Sequence, residues 1–395
     1  MTVETPETEA ALVDLVKAAG EGGHALATEG AGTKRHYGPA APTQVNVRRV
    51  SLARLSRVTA HEPADMILSV QAGARLSDVQ RVLAAHEQWL PIDPPFAAHA
   101  TIGGVLATNS SGPRRLGYGT IKDQLLGVRV VGAAGQVTKS GGRVVKNVSG
   151  FDLHRPQAGA FGTLGVLVEA HFKVRARPQT SAVWAFARPS LGSAHRLLLD
   201  VAATSLTPVA LEALDAPEAA LLRARVPGLP GEDALALVGV EGARETFERH
   251  ARDLGARAAA VVFRDADAAP LWAALAELPA AHAGDVRVRV GARPHQLPGL
   301  VAALEPGAAR GVSVRAGLGL AFVSVAPDAA VAPSVARWGR LAEASGGYAV
   351  VESAPLDVPA RAELPFGASR PSGPGEALRR AWDPRGTLNP GRLAP

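Results

Sequence analysis

The sequence predicts an α+β fold in two domains, and three observations lead to this expectation. A chain of 395 residues has room for two or three domains with substantial cores. Its first part alternates short strand signals with amphipathic helices. Beyond residue 178 the glycine clusters give way to a segment rich in Ala, Leu, Pro and Arg. We therefore expect a first domain over residues 1–178, a second over 179–375, and a tail over 376–395.

The first domain begins with helical periodicity over residues 7–19, for which Thr5 and Pro6 are the expected cap and first-turn residues. Short strands are predicted at 24–28, 45–48 and 66–70, and an amphipathic helix at 76–86. Two β-branched runs around Ala134 and Gly135 predict a hairpin over 127–137. A strand over 166–174 follows the last glycine turn. This order of elements is typical of an α+β domain.

The second domain is predicted to be an antiparallel sheet backed by helices. Strand signals fall at 182–187, 235–240, 286–290, 319–325 and 348–352. Helical stretches at 193–203, 244–254, 268–277 and 333–344 alternate with them. Residues 353–375 are rich in Pro and Gly, which predicts a surface connection to the tail.

Composition and charge exclude several classes of protein. The net charge is +6 and aromatic residues make up 4% of the chain, but the basic residues are dispersed, whereas nucleic-acid binding needs a clustered basic surface. Without cysteine, the chain supplies no thiolate to zinc or to an iron–sulfur cluster, so any such cluster must lie on a partner. The acidic start is unlike a secretory signal, and no apolar run reaches the roughly 20 residues of a membrane span. We expect a cytoplasmic protein, peripheral to a membrane at most and then through partners.

A series of glycine turns between apolar runs is the strongest functional signal. Glycine lets the backbone turn tightly or approach a flat ligand within van der Waals distance. A large planar ligand is therefore expected against this stretch. The turns read Thr101-Ile102-Gly103-Gly104, Asn109-Ser110-Ser111-Gly112, Tyr118-Gly119 and Gly162-Thr163-Leu164-Gly165.

An earlier glycine loop, Gly30-Ala31-Gly32-Thr33-Lys34, follows an apolar strand. Small residues in such a loop can direct successive N–H groups at a phosphate, although a plain turn remains an alternative at this point. The loop is not G-x-G-x-x-G, and the region about 20 residues further on reads Arg48-Arg49-Val50-Ser51 without an acidic residue. A Rossmann fold is therefore not expected.

Taken together, seven motifs resemble the FAD-binding domain of the vanillyl-alcohol oxidase (PCMH-type) flavoproteins. The resemblance covers about residues 1–178 and the last dozen residues, where Asp383-Pro384 and Asn389-Pro390-Gly391 are similar to the closing motif of that superfamily. Within it the chain looks most like the FAD-binding E subunits of bacterial glycolate oxidases, also called glycolate dehydrogenases. The seven motifs, in order, are Gly30 to Lys34, Asp93-Pro94, Thr101 to Gly104, Asn109 to Gly112, Tyr118-Gly119, Gly150-Phe151-Asp152-Leu153 and Gly162 to Gly165.

The resemblance implies two α+β subdomains that hold FAD, a cap domain over the flavin, and a tail that returns to the FAD domain. It also implies the positions of the cofactor-binding residues. The backbone of Gly30, Ala31, Gly32, Thr33 and Lys34 would hold the pyrophosphate; Pro94, Thr101, Ile102, Gly103, Gly104, Asn109, Ser110 and Gly112 would line the dinucleotide and flavin; Gly162, Gly165 and Val166 would flank the adenosine.

Two departures from the family pattern refine this expectation. Relatives that oxidise 2-hydroxy acids alone carry H-x-G-D-G-N-x-H in the cap and later G-E-H-G, whereas the nearest stretch here, residues 315–321, reads RAGLGLA, and G-E-H-G is absent. The histidines at 250, 282 and 295 are scattered, so no metal site is expected. Without cysteine, and with His36 outside the usual attachment motif, the FAD is expected to be non-covalent.

These features lead to the hypothesis of an FAD-binding subunit whose substrate is a small 2-hydroxy acid such as glycolate. Its expected partners are a histidine-bearing flavoprotein subunit and an iron–sulfur subunit, and its catalytic residues stay unknown. Lys146 and Asp152 are interpreted as a solvated rim. Two alternatives stay open: a self-sufficient FAD-dependent alcohol or 2-hydroxy-acid oxidoreductase with Tyr348, His282 or His295 as base, and a non-catalytic flavin-bound scaffold.

Overall fold

The computed structural model describes residues 3–39, 46–143, 151–231, 233–303, 309–328, 330–358, 364, 366 and 373–392. The chain divides into two compact units. The first contains Met1–Ser111, Gly119–Arg177 and Arg370–Pro395, and the second contains Gly112–Tyr118 and Pro178–Ser369. Lys146, Gly150 and most of the predicted connection, namely 359–363, 365 and 367–372, lie outside the described residues.

The first 177 residues form ten strands and five helices of four or more residues within the described ranges. The strands are β1 (Val3–Glu4), β2 (Ala25–Glu29), β3 (Val47–Ser51), β4 (Val58–Glu62), β5 (Ile67–Gln71), β6 (Gln88–Trp89), β7 (Leu125–Val131), β8 (Val137–Gly141), β9 (Val166–Lys173) and β10 (Arg175–Ala176). The helices are α1 (Glu9–Glu21), α2 (Leu76–Ala84), α3 (Ile102–Thr108), α4 (Arg115–Tyr118) and α5 (Ile121–Gln124).

The first unit contains two main sheets. A three-stranded parallel sheet has the order β1-β3-β2, and a five-stranded antiparallel sheet has the order β4-β5-β9-β7-β8. The predicted hairpin is confirmed as β7 and β8, with Gly135 at a φ of 77° in its turn. The predicted start of α1 is wrong, because the hydroxyl of Thr8 caps the helix by accepting from the Ala11 N–H at 3.1 Å. Both sheets and α1 to α3 contribute to one apolar core.

The remaining elements belong mainly to the second unit, and α13 belongs to the first. The strands are β11 (Thr180–Arg188), β12 (Ala210–Leu214), β13 (Ala234–Gly242), β14 (Val261–Arg264), β15 (Val286–Gly291), β16 (Ala309–Arg315), β17 (Leu320–Val325) and β18 (Tyr348–Ser353). The helices are α6 (Leu191–Ala202), α7 (Ala216–Arg223), α8 (Arg244–Gly255), α9 (Ala268–Ala276), α10 (Leu278–Ala281), α11 (Leu297–Ala302), α12 (Val331–Ala344) and α13 (Pro374–Trp382).

One antiparallel sheet of eight strands, in the order β14-β11-β13-β12-β16-β17-β15-β18, organises the second unit. Alternate strand residues point to opposite faces. On one face, residues such as Val288, Val314 and Val323 pack beneath α6, α8, α11 and α12. On the other, α7, α9 and α10 cover the half formed by β11, β12 and β13. The α+β class and the helix-backed antiparallel sheet are therefore confirmed.

The rest of that second face carries charged side chains. Arg287, Arg289, Arg315 and Phe322 alternate along β15, β16 and β17 with residues of the apolar face. We call this surface, completed by Glu212 of β12 and Glu352 of β18, the arginine face. Alternation of valine with arginine satisfies the period of a strand while placing opposite chemistries on its two sides.

The tail after α13 pairs with β2 in the first unit. The Leu26 N–H donates to the Thr387 carbonyl at 2.7 Å, and the Asn389 N–H donates to the Leu26 carbonyl at 2.7 Å. Asp383 fixes the preceding turn by accepting from the N–H groups of Thr387 and Leu388. The tail thus extends the small parallel sheet at the strand that precedes the first glycine loop. Within the described part of the chain, no helix has the length and apolar character needed to cross a bilayer.

A buried imidazole joins two carboxylates in the second unit. His282 Nδ1 lies 3.0 Å from Asp285 Oδ2, its Nε2 lies 3.1 Å from Glu218 Oε1, and Arg310 contacts Asp285 at 2.8 Å. Burial lowers the pKa of His282, but the two carboxylates outweigh burial and the charge of Arg287, so its pKa is raised. Burial also raises the pKa of nearby Asp215 to about 6.

We expect this cluster to make stability depend on pH. A histidine whose pKa is higher in the folded state stabilises the protein fully below its unfolded value near 6.5, and loses that contribution as pH rises through the folded pKa. The melting temperature should therefore fall above that pH. Asp215 has the same sign, but its window lies lower, between 3.8 and about 6.

The His282→Gln variant should lose this fall in melting temperature with rising pH. It should also be destabilised by roughly 3–5 kcal/mol at pH 6, which is the cost of breaking a buried ion pair. His295→Gln is the control, because His295 is exposed. Thermal unfolding followed by circular dichroism across pH measures both. A wild-type slope retained in His282→Gln would contradict the assignment.

Candidate functional site

The first glycine loop touches the Thr101 motif directly. A Cβ built on Gly30, which follows β2, would lie 1.9 Å from Thr101 Oγ1 and 2.8 Å from Thr101 Cβ. No side chain fits between backbone and threonine at that distance. Seventy residues of sequence separate Gly30 from Thr101, and the structure places the two in contact.

Thr101 is also the N-cap of α3, so the predicted glycine turn forms the first turn of a helix. Its hydroxyl accepts from the Gly104 N–H at 3.3 Å. Gly103 packs against Ala72, the residue that follows β5. A Cβ on Gly103 would lie 2.8 Å from Ala72 Cβ, and the Gly103 N–H donates to the Ala72 carbonyl at 2.7 Å. Ile102 is fully buried. The lack of side chains at Gly103 therefore serves helix packing, whereas a Cβ on Gly104 would meet only Thr101, at 3.2 Å.

Lys34 fastens the end of the first loop to the segment around Pro94. Its ammonium donates to the Pro95 carbonyl and lies 4.7 Å from the centre of the Phe96 ring. Both Lys34 and Pro94 are buried. Gly32 has a φ of 73°, and its Cβ position lies against the guanidinium of Arg35, which pairs with Glu29 at 2.6 Å. Ala31 is exposed, and Gly32 and Thr33 are half-buried.

The turn that contains Gly162 docks on the end of α3. Asn109 ends that helix in the left-handed conformation, with a φ of 47°. The Gly159 N–H donates to the Leu106 carbonyl at 3.0 Å, and the Phe161 N–H donates to the Ala107 carbonyl at 2.8 Å. Ser110, which is buried, donates its N–H to the Val105 carbonyl. Two more of the predicted motifs therefore share one region.

Two buried amide oxygens beside this turn have no hydrogen-bond partner among the described residues. They are Oδ1 of Asn109 and Oε1 of Gln157. A buried acceptor left unsatisfied costs about 1–3 kcal/mol. Both oxygens suit a ligand that brings N–H or O–H donors, as the ribityl and ribose hydroxyls, the flavin and the adenine of FAD do. The residues present therefore fit FAD.

Gly162 is held by the tail. Asn389 Nδ2 donates to the Gly162 carbonyl at 3.0 Å and to Thr28 Oγ1 at 2.9 Å, and its Oδ1 accepts from the Thr28 N–H at 2.9 Å. A Cβ on Gly162 would lie 2.7 Å from Asn389 Nδ2. Arg392 donates to the carbonyls of Lys34 and Pro39. Sequence reasoning noted the tail motif but assigned neither Asn389 nor Arg392 to the site.

Leu164, which directly precedes Gly165, lines a cavity of about 280 Å³. A Cβ on Gly165 would meet Val130 at 3.3 Å, and Val166 is fully buried at the start of β9. The cavity is close to the lower end of ligand-pocket volumes. Its lining includes Val128, Val130, Gln157, Leu164 and Trp382. Of the predicted cofactor residues, Gly112 alone counts with the second unit.

In the second unit, the stretch over 315–321 forms the hairpin between β16 and β17. It contains neither histidine nor carboxylate, and Gly319 has a φ of 64° with its Cβ position blocked by the Ala292 carbonyl. Arg315 Nε lies 3.5 Å from Glu212 Oε1, and its guanidinium lies 4.8 Å from the centre of the Phe322 ring. In the part of the chain that the structure describes, no group of three His, Asp or Glu side chains could hold a metal ion.

The scattered histidines occupy three different environments. His250 is buried, with Nδ1 2.7 Å from the Thr246 carbonyl and Nε2 accepting from the Thr207 N–H, and burial lowers its pKa. His282 is held between Glu218 and Asp285, and His295 is exposed. Asp152 pairs with Arg155 at 3.2 Å on the surface.

Comparison with known families agrees with the chemistry of the site. Residues 2–141 match the family model of the FAD binding domain, and residues 177–294 match that of the C-terminal domain of FAD linked oxidases. FAD is therefore the cofactor of this chain. Among solved structures, an alkyldihydroxyacetonephosphate synthase superimposes with a TM-score of 0.71 over 98% of this chain and 75% of its own, at 18% identity. At that identity the likeness concerns the fold alone.

Three curated relatives are enzymes or enzyme subunits. Glycolate oxidase subunit GlcE of Escherichia coli is 38% identical over 31% of this chain and 35% of its own length. Glycolate oxidase subunit GlcD of Bacillus subtilis is 32% identical over 49% of this chain and 42% of its own. The D-2-hydroxyglutarate dehydrogenase of Xanthomonas citri pv. viticola is 36% identical over 42% and 34%. The matches thus span less than half the length of each of these relatives.

We expect Gly30→Ala to weaken FAD binding. The new methyl group must displace Thr101, and overpacking of this kind costs about 1–3 kcal/mol, which corresponds to roughly a five- to 150-fold loss of affinity if it falls on the bound state. Titration of the apoprotein with FAD, followed by flavin fluorescence, measures the change.

The matched control is Gly142→Ala in the same unit, because a Cβ on Gly142 meets nothing within 4 Å. Gly142→Ala should bind FAD as the wild type does. Equal affinities for Gly30→Ala and the control would show that the contact with Thr101 does not shape the cofactor site.

Proposed function

The chain belongs to the FAD-linked oxidase family, and from that premise we propose that it is the FAD-binding subunit of a glycolate oxidase or dehydrogenase complex. The complex would oxidise glycolate or a similar 2-hydroxy acid to the 2-oxo acid, with electrons passed through FAD to an iron–sulfur partner. Since its curated relatives match over less than half of their length, substrate and partners are part of the proposal.

One contrast carries this proposal. In the first unit the glycine loop contacts Thr101, the Gly162 turn docks on the end of α3, and two buried amide oxygens beside that turn are unsatisfied among the described residues. The β16–β17 hairpin of the second unit, by contrast, offers no histidine or carboxylate as a metal ligand or proton acceptor. A chain that keeps its cofactor site but lacks these groups is best suited to work beside a partner that has them.

The arginine face supports an anionic substrate class. Arg287 and Arg289 contact Glu352 at 3.2 and 3.6 Å, and Arg315 contacts Glu212. The face thus concentrates three guanidinium groups, each within 4 Å of a carboxylate. The guanidinium fork matches the geometry of a carboxylate, so this face would hold or attract a 2-hydroxy acid.

Bound FAD would supply the two-electron acceptor that no side chain of this protein can provide. The chain's own residues contribute binding and orientation. Gly30 to Lys34 and Thr101 hold the backbone positions at which the dinucleotide is expected, and Asn109 and Gln157 would accept hydrogen bonds from it. The burial of Lys34 and Pro94 keeps that edge of the site dry.

A specific observation keeps the self-sufficient oxidoreductase as a second candidate. Tyr348 is half-buried at the edge of the arginine face, with the Arg289 guanidinium 5.7 Å from its ring centre, and a tyrosine there could act on a substrate proton. His282 is engaged by two carboxylates, and His295 is exposed, which favours neither as base. The remaining alternative is a scaffold subunit, which would bind FAD without catalysing a reaction.

We expect purified protein with FAD to oxidise glycolate at a rate at least ~100-fold below that of the complex with its co-purified partners, the factor by which a missing acid–base group slows a reaction. Anaerobic bleaching of the flavin by a panel of 2-hydroxy acids gives the readout. A rate for the isolated chain equal to that of the complex would favour the self-sufficient enzyme, with Tyr348→Phe as its test. If Gly30→Ala protein from which the FAD had been removed supported full activity of the complex, the scaffold would be favoured.

The flavin should be released by acid precipitation of the protein. The ring of His36 packs edge-on against Tyr37 and Phe96, at 4.8 and 5.5 Å between centres, and cysteine is absent. Yellow colour in the supernatant confirms non-covalent FAD, whereas a yellow pellet that stays coloured after washing contradicts it.

A further inference from the structure

A short segment of the second unit interrupts the first unit next to the cofactor motif. Residues Gly112–Tyr118 count with the second unit, whereas Ser111 before them and Gly119 after them count with the first. We call residues 112–118 the crossover segment. It begins at Gly112, the last residue of the Asn109-Ser110-Ser111-Gly112 motif.

Arg114 anchors the crossover segment within the second unit. Its guanidinium donates to Glu241 Oε1 from Nη2 at 2.7 Å and from Nε at 3.1 Å. The same guanidinium lies 4.1 Å from the centre of the Trp272 ring. One planar group thus makes two charge-assisted hydrogen bonds and a cation–π contact, a combination that lysine cannot reproduce.

The residues that bind the Arg114 guanidinium are themselves buried and hydrogen-bonded within the second unit. The side chain of Glu241 is 2% exposed, and it also accepts from Ser181 Oγ at 2.9 Å. Ser181 in turn accepts from the Trp272 indole N–H at 2.8 Å. A buried carboxylate that loses its cation is strongly unfavourable, so the segment is held firmly at this point.

Two further contacts fix the backbone after Arg114. The Gly117 N–H donates to the Val209 carbonyl at 3.1 Å, and a Cβ on Gly117 would lie 2.6 Å from Val209 Cγ1. Leu116 fills the space beside Gly317, where a Cβ would lie 2.8 Å from Leu116 Cδ1. The crossover segment therefore packs on the β16–β17 hairpin of its own unit.

We propose that Arg114 is a positioning residue for bound FAD. Its seat on Glu241 and Trp272 fixes the chain at Gly112 and, through the intervening backbone, the left-handed Asn109 with its unsatisfied buried oxygen. Arg114 would thereby contribute to cofactor affinity through the backbone that leads to Asn109. The proposal rests on the proposed function in one respect, namely that Asn109 to Gly112 bind FAD.

The test compares Arg114→Met, Arg114→Lys and Glu241→Gln with Arg264→Ala. Arg264 is the matched control, since it belongs to the same unit, stacks 4.0 Å from the Phe247 ring centre and pairs with Asp265 at 3.2 Å. For each full-length variant, the dissociation constant of FAD and the visible circular dichroism of the bound flavin are measured. The melting temperature of the FAD-free protein is measured separately.

We expect Arg114→Met to raise the dissociation constant about tenfold (about 1.4 kcal/mol) and to change the visible circular dichroism. Glu241→Gln should shift both in the same direction, and Arg114→Lys should recover part of the affinity. Arg264→Ala should leave the dissociation constant unchanged. If Arg114→Met is too unstable to purify, Glu241→Gln and Arg114→Lys carry the same comparison.

The proposal would be overturned if the Arg114 and Glu241 variants kept the dissociation constant and the spectrum of the wild type while the melting temperature of the FAD-free protein fell. Arg114 would then be an anchor of the fold without a role in FAD binding. The wild type separates this from failure of the proposed function. A wild type that does not bind FAD refutes the function itself, whereas wild-type binding with indifferent variants refutes only the role of Arg114.

Discussion

The close approach of Gly30 to Thr101 is the contact on which the arrangement of the first unit depends. At 1.9 Å from a would-be Cβ to Thr101 Oγ1, the end of the small parallel sheet and the start of α3 share space that only glycine leaves open. Thr101 has a second duty there, because the same hydroxyl caps α3. The position of the first loop, the start of the helix and the backbone expected to face the dinucleotide are therefore set by one pair of residues.

The second unit is organised by a different constraint, the two-sided character of its central strands. Val286, Val288 and Val290 face the helices, while Arg287 and Arg289 face the other way. Burying arginine is costly unless it is paired, and Glu352 and Glu212 supply that pairing. The same strands thus contribute to an apolar core on one side and carry a cluster of paired charges on the other.

Much of this fold could be read from the sequence, and the exceptions have physical causes. Strands such as β13 and β15, and helices such as α8, show periodicity strong enough to be identified alone. β12, with the sequence ALEAL, was missed because its residues favour helix and only pairing with β13 and β16 makes it a strand. The packing of Gly103 against Ala72 could not be predicted, because that contact is formed only in the folded protein. The crossover segment could not be foreseen, because Arg114 and Glu241 are far apart in sequence and nothing local links them.

The side chain of Asn389 joins Thr28 to Gly162, and this has a consequence for biosynthesis. Thr28 lies near the end of β2, just before the first loop, and Gly162 lies in the turn that docks on α3, yet the residue that links them follows Gly162 by 227 residues. A nascent chain that does not yet contain Asn389 has the loop and the turn without the side chain that links them. The contact that joins the first loop to the turn is therefore completed only after Asn389 has been synthesised.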